Sequence, residues 1–165
     1  MRDVDLAYLA GVIDADGYVT ATRSERKGRL YFGAQVGITG SRRQPHDLAS
    51  SIFGNRVTAH RPTSNPKHLT QFHWQVGGTA ASPIIQALLP YLRIKRDRAL
   101  LVLDFQAELD EAREHRPEGG VPWLPVGHDR TATFSQRVDE IRAAGRELDD
   151  GAQHHAWPET ERTGR

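Results

Sequence analysis

LAGVIDADG, residues Leu9–Gly17, ends an apolar segment and opens a strand, and the architecture of the chain can be read outward from it. On its amino-terminal side, Leu6, Leu9, Ala10 and Ile13 recur at helical spacing between Asp5 and Asp16, with Asp3 or Asp5 available as N-cap and Gly17 as the stop. On its carboxyl side the period changes. Tyr18, Thr20 and Thr22 alternate with Val19 and Ala21; after the polar stretch SERKGR, Leu30, Phe32, Ala34, Val36 and Ile38 alternate again. A helix of about three turns therefore runs into a β-hairpin with a basic tip.

Beyond ITGSRRQP the spacing predicts a short helix over His46–Phe53, closed by Gly54 and Asn55. Strands are expected at Arg56–His60 and Leu69–Val76, separated by the turn-rich RPTSNPKH. Helical periodicity returns at Ser82–Leu92 and Lys95–Glu114, breaks at EHRPEGGVPWLP, and is found once more at Ser135–Leu148. The expected organisation is a core over residues 1–115, an extension with a helix over 116–148, and a tail, 149–165, too poor in apolar residues to pack and so disordered. Helix, two strands, helix, two strands and further helices make an α+β pattern with an antiparallel sheet. One face of that sheet needs the helices. The other, carrying Arg and Thr, is basic, rich in hydrogen-bonding groups and suited to a DNA groove.

The chain has no cysteine, which removes disulfides and thiolate zinc sites, and it lacks both a signal-peptide pattern and an apolar run of spanning length. The expectation is a soluble intracellular protein with no membrane partner. Its net charge of +1 conceals an asymmetry: residues 1–100 carry 14 Lys/Arg against 7 Asp/Glu, a net +7, and residues 101–165 carry 8 against 14, a net −6. The first part is thus suited to facing a polyanion.

Eight of the nine residues of LAGVIDADG agree with the signature of the LAGLIDADG family, which the chain resembles, with Val12 in place of leucine. VGITGSRRQPHDLASSIFG, Val36–Gly54, is similar to that family's strand running into its second helix. LLPYLRIKRDRALLVLDF, Leu88–Phe105, resembles the helix-turn-helix of its single-motif, homodimeric members. The likeness covers roughly residues 5–110. It implies an αββαββα fold whose antiparallel sheet is a DNA-binding saddle with helices on the other face. It also implies a homing endonuclease of intron or intein mobility, a homodimer that breaks both strands of a pseudo-palindromic site by phosphodiester hydrolysis in Mg2+, with Mn2+ as a substitute.

The residues support that chemistry independently. Ala7, Ala10 and Gly11 leave one side of the first helix nearly bare, so a second copy can approach more closely than the roughly 8–10 Å of bulkier helix contacts. Two copies crossing there bring both Asp16 carboxylates to one place, at the negative ends of two helix dipoles, where a cation is favoured. The resemblance adds the Ala15 carbonyl as a further metal ligand. It gives Asp14 a local structural role and places Lys95 as a catalytic basic residue near the centre. Asp-x-Asp-Gly alone is also an ordinary helix end with a glycine cap; the nine-residue agreement favours the metal reading. Gly40 stands where the family often has a water-ordering glutamine, so Ser41 or Arg42 substitutes or the rate is lowered.

For base contacts in the major groove the candidates are Thr20, Thr22, Arg23, Arg26, Arg29, Tyr31, Gln35, Arg56, Arg61, Gln71 and His73. Lys27, Arg42, Arg43, Lys67, Arg96 and Arg98 are expected on phosphates. Trp74, Tyr91 and Phe105 are expected to pack rather than stack on bases. Two other functions fit less well: an RNA maturase or non-cleaving DNA-binding regulator, which would not require Asp16, and a protein-interaction module working through the acidic carboxyl-terminal part.

Overall fold

The computed structural model describes residues 2–61, 69–114, 124–125 and 129–154. Helix α1 (Asp3–Asp16) leads into the hairpin β1 (Gly17–Arg26) and β2 (Arg29–Gly40); α2 (Arg43–Phe53), β3 (Thr58–His60) and β4 (Gln71–Gly77) follow. A 3-10 turn, Gly78–Ala80, enters α3 (Ala81–Leu88), and α4 (Arg96–Glu114), the short β5 (Leu124–Pro125) and α5 (Asp129–His154) complete the chain. The antiparallel sheet has the order β1-β2-β4-β3, and β5 joins the outer end of β2 through Arg29 and Leu30. The fold is the expected α+β arrangement.

Local chemistry explains where the elements begin and end. Arg2, not an aspartate, is the N-cap of α1, and no side chain caps it; Asp3 and Asp5 lie in the first turn, at the positive end of the helix dipole. Gly17 is extended, at φ −99°, and does not close the helix in a left-handed cap. A glycine is needed there for another reason: a Cβ would lie 2.7 Å from both the Gly37 carbonyl oxygen and the Ile13 Cα. SERKGR belongs mostly to the strands. Lys27 (φ 53°) and Gly28 (φ 70°) form a two-residue turn of the primed kind that matches strand twist, so pairing runs out to Arg26 opposite Arg29.

Alternation then sorts the sheet. Val19 and Ala21 of β1, Phe32, Ala34, Val36 and Ile38 of β2, and Trp74 and Val76 of β4 are buried against the helices. They meet Leu6, Leu9 and Ile13 of α1, Ile85 and Leu88 of α3, Val102 and Phe105 of α4, and Val138 and Ile141 of α5. Full burial of one such large side chain is worth about 1.5–3 kcal/mol. Trp74 and Phe105 are packing residues, both completely buried.

Helix α5 is longer at both ends than Ser135–Leu148 and covers the outer edge of β1. Arg142 Nε donates to the Ala21 carbonyl at 3.1 Å, and Arg23 pairs with Asp139 at 3.3 Å. An exposed strand edge is thereby closed to foreign strands. Where β2 runs past β4, α4 supplies side chains in place of a neighbour: Gln106 Oε1 accepts from the Ala34 amide at 2.8 Å, and Arg113 donates to the Phe32 carbonyl at 3.4 Å.

Candidate active site and nucleic-acid interface

The two aspartates at the end of α1 have different surroundings. Asp14 is buried, and its carboxylate accepts the backbone amides of Arg93 (2.7 Å), Ile94 (3.2 Å) and Lys95 (2.9 Å), fixing the α3–α4 connection to α1. Lys95 is 8% exposed, and its ammonium donates to the Asp14 carbonyl, one of the last of the helix. A positive charge is thus held at the negative end of α1, two residues from Asp16. Asp16 is exposed, beside exposed Ala15, and its own carbonyl receives the Thr39 hydroxyl at 3.5 Å. Among the described residues no three acidic or histidine side chains gather as a metal cluster. At this end the chain presents the exposed Asp16 carboxylate beside helix-terminal carbonyls. Gly40, at the end of β2, borders open space: a Cβ there would meet only His46, at 3.9 Å.

Along α1, Val4, Ala7, Tyr8, Gly11 and Ala15 form an outward apolar stripe, with Val4 65% and Tyr8 51% exposed. A Cβ on Gly11 would touch nothing in the chain. Ala10, expected on this side, faces the opposite way and is 0% exposed in the core.

On the sheet face away from the helices, register aligns Tyr18–Gly37–Gln75, Thr20–Gln35–Gly77 and Thr39–His73–Thr58 across the strands. Gln71 stands opposite His60, and farther out come Thr22–Gly33, Ser24–Tyr31 and Arg26–Arg29. Thr20, Thr22, Arg26, Arg29, Tyr31, Gln35, Gln71 and His73 accordingly share one face. Arg23 does not: it has the parity of Val19 and Ala21 and is turned to Asp139 on α5. Arg56 and Arg61 are exposed just outside β3, and Lys27 is exposed in the hairpin turn. Arg42 and Arg43 begin α2; Arg43 pairs with Asp47 at 3.1 Å and lies over the Phe72 ring at 5.9 Å. Arg96 is exposed at the start of α4, whereas Arg98 is half-buried against Gly145 of α5 rather than presented to the surface. Lys67 lies outside the described residues.

Several solved structures share this arrangement. I-CvuI, a homing endonuclease in complex with its target, superposes with a TM-score of 0.59 at 20% identity, over 93% of this chain and 98% of that one. The archaeal intron-encoded homing endonuclease I-Vdi141I, complexed with DNA, gives 0.54 at 12% identity, over 87% and 99%. The LAGLIDADG homing endonuclease I-GzeII, in complex with a DNA target, gives 0.56 at 17% identity, over 84% of this chain and 44% of that one. The chain has the LAGLIDADG homing-endonuclease fold. No protein-family model and no curated protein sequence matches it. Its motif occupies the end of α1 and the first residue of β1, and the sheet face described above is the open side of the LAGLIDADG saddle.

Sequence reading passed over Tyr18 and Gln75 in the middle of that saddle, although strand alternation gives them the parity of Thr20 and His73. The Tyr18 hydroxyl donates to Gln75 Oε1 at 2.9 Å and lies 2.9 Å from His73 Nε2; Gln35 Nε2 donates to Gln75 Oε1 at 2.8 Å. Burial pushes the Tyr18 phenol up to about 12. Burial, together with the charge of His46, lowers His73, so its imidazole is neutral at pH 7.

Proposed function

We propose that the protein is a LAGLIDADG homing endonuclease of the single-motif type: a homodimeric, site-specific endodeoxyribonuclease that hydrolyses one phosphodiester in each strand of a pseudo-palindromic duplex. The observation that carries this reading is the coincidence, on one helix, of an exposed terminal carboxylate, Asp16, with an uncovered stripe of small and apolar residues. Glycine inside a helix costs about 1 kcal/mol relative to alanine. Nothing in its own chain requires Gly11, whereas a second α1 crossing at that point does. Crossing two copies brings the Asp16 carboxylates together, and the two-fold axis gives the target its symmetry.

The donor set suits Mg2+, with Mn2+ as a substitute: hard oxygens only, one carboxylate per subunit and the Ala15 carbonyl at a helix end. When bound, the metal supplies Lewis-acid stabilisation of the attacking and leaving oxygens. The chain's own residues place the phosphate. Asp14 fixes the α3–α4 connection, and Lys95 holds a positive charge beside the cleavage point, where phosphate charge develops. Thr20, Thr22, Arg26, Arg29, Tyr31, Gln35, Gln71 and His73 meet base edges, with Arg56 and Arg61 beside them just outside β3, while Lys27, Arg42, Arg43 and Arg96 meet phosphates. I-CvuI holds DNA in 2 mM Ca and, uncut, in 2 mM Mg, which supports duplex DNA as the ligand class.

The test is selection of cleaved products from a randomised duplex pool in Mg2+, with Asp16→Asn beside the parent. Asp16→Asn is expected to bind duplex in Ca2+ and to lose cleavage in Mg2+; cleavage at the parental rate overturns the reading. Binding without any cut by the parent supports a non-cleaving DNA-binding protein instead, the alternative favoured by the open space at Gly40.

A further inference from the structure

Tyr18, Gln35, His73 and Gln75 come from three strands and meet in the middle of the open face. Gly37 makes the meeting possible. A Cβ there would lie 2.6 Å from the Tyr18 ring, so the glycine leaves a gap in β2 across which the ring reaches from β1 to β4. The phenol has one proton, and it goes to Gln75 Oε1 at 2.9 Å. At the 2.9 Å contact with His73 Nε2 the hydroxyl oxygen is therefore the acceptor, which puts the imidazole proton on Nε2. Gln75 Oε1 accepts again from Gln35 Nε2 at 2.8 Å and is then saturated. Gln75 is left with the two donors of its amide nitrogen. Gln35 keeps its oxygen and one N–H.

We infer that these four side chains work as one preset base reader in which Gln75 is an obligate donor, selecting guanine or thymine by their O6 or O4 acceptors. A glutamine with both amide ends free would favour adenine, which requires a donor and an acceptor together. Gln35, which keeps both, takes adenine. Tyr18 is a positioning residue: it fixes the polarity of Gln75 without touching a base. The inference rests on the DNA-reading role proposed above for the sheet.

The test is binding selection from a randomised duplex pool in Ca2+ with the parent, Gln75→Glu and Tyr18→Phe. In the parent pool one base pair is expected to be preferred at a two-fold-related pair of positions, its guanine or thymine on the strand that Gln75 faces. Gln75→Glu, whose carboxylate only accepts, moves that pair to cytosine or adenine, bases with an amino donor, and leaves the other positions unchanged. Tyr18→Phe keeps the ring over Gly37 but releases one of the two hydrogen bonds that Gln75 Oε1 accepts, so adenine enters at the same pair and the parental preference falls about tenfold. Identical preferences in all three pools overturn the inference and leave recognition of DNA by the sheet intact. A parent that enriches no duplex overturns the DNA-binding reading itself. Should Tyr18→Phe not fold, Gln75→Glu decides alone.

Discussion

Three backbone N–H groups converge on the carboxylate of Asp14, whereas Asp16 makes no such contact and stands in solvent. Truncating the first leaves buried donors without an acceptor, each costing about 1–3 kcal/mol. Asp14→Ala is accordingly expected to lower stability by about 3 kcal/mol, read as a shift in the urea midpoint, while Asp16→Asn stays within about 0.5 kcal/mol. The sequence shows two identical side chains here; their difference lies in the chain about 80 residues further on, which no local pattern can report. Tyr18 offers a second check. Folding favours its neutral form, so the unfolded chain ionises first. The associated stability is complete below about pH 10 and is lost as pH rises toward 12. The ultraviolet titration of the parent minus that of Tyr18→Phe should show one phenol with a midpoint near 12; a midpoint near 10 would show that the ring is not shielded.

At the scale of elements, α1 was legible as a helix but not as an oriented one. It is apolar all round, with small residues on two sides, and periodicity cannot say which side meets the core. Ala10 goes inward, and Val4 and Tyr8, unremarked in the sequence, complete the outward stripe with Ala7 and Gly11. A bulky or charged group in that stripe should separate the subunits. Gly11→Leu and Tyr8→Asp are expected to sediment as monomers at micromolar concentration where the parent sediments as a dimer; a monomeric parent, free and with DNA, would remove the helix-crossing model. The hairpin teaches a related point. Its polar outer half concealed two strands that pair down to a two-residue turn, and with them the parity that turns Arg23 to the helices.

For the whole molecule, the antiparallel α+β layout with one open basic face could be read from patterning, because alternation and helical period survive without tertiary knowledge; the saddle came from the family resemblance. The docking of α5 along β1 could not be. It depends on pairs such as Arg142 with the Ala21 carbonyl, 121 residues apart. The basic residues of the first part are displayed mainly around the open face and the starts of α2 and α4. Duplex affinity is expected to fall about a thousandfold or more between roughly 50 and 200 mM salt, as several phosphate contacts per subunit require. Fluorescence anisotropy across a salt series measures this, and a flat response would contradict a phosphate-dominated interface.

Gly37 has a consequence for anyone who would redirect such a protein to a new sequence. Here the glycine is what lets the ring cross: a methyl group at 37 would meet the Tyr18 ring at 2.6 Å and the Trp74 carbonyl oxygen at 2.8 Å, so any side chain there is expected to disturb the contacts among Gln35, His73 and Gln75 and the pairing of β2 with β4 as well. Variation is therefore better placed at Tyr18, with Gly37 kept as it is.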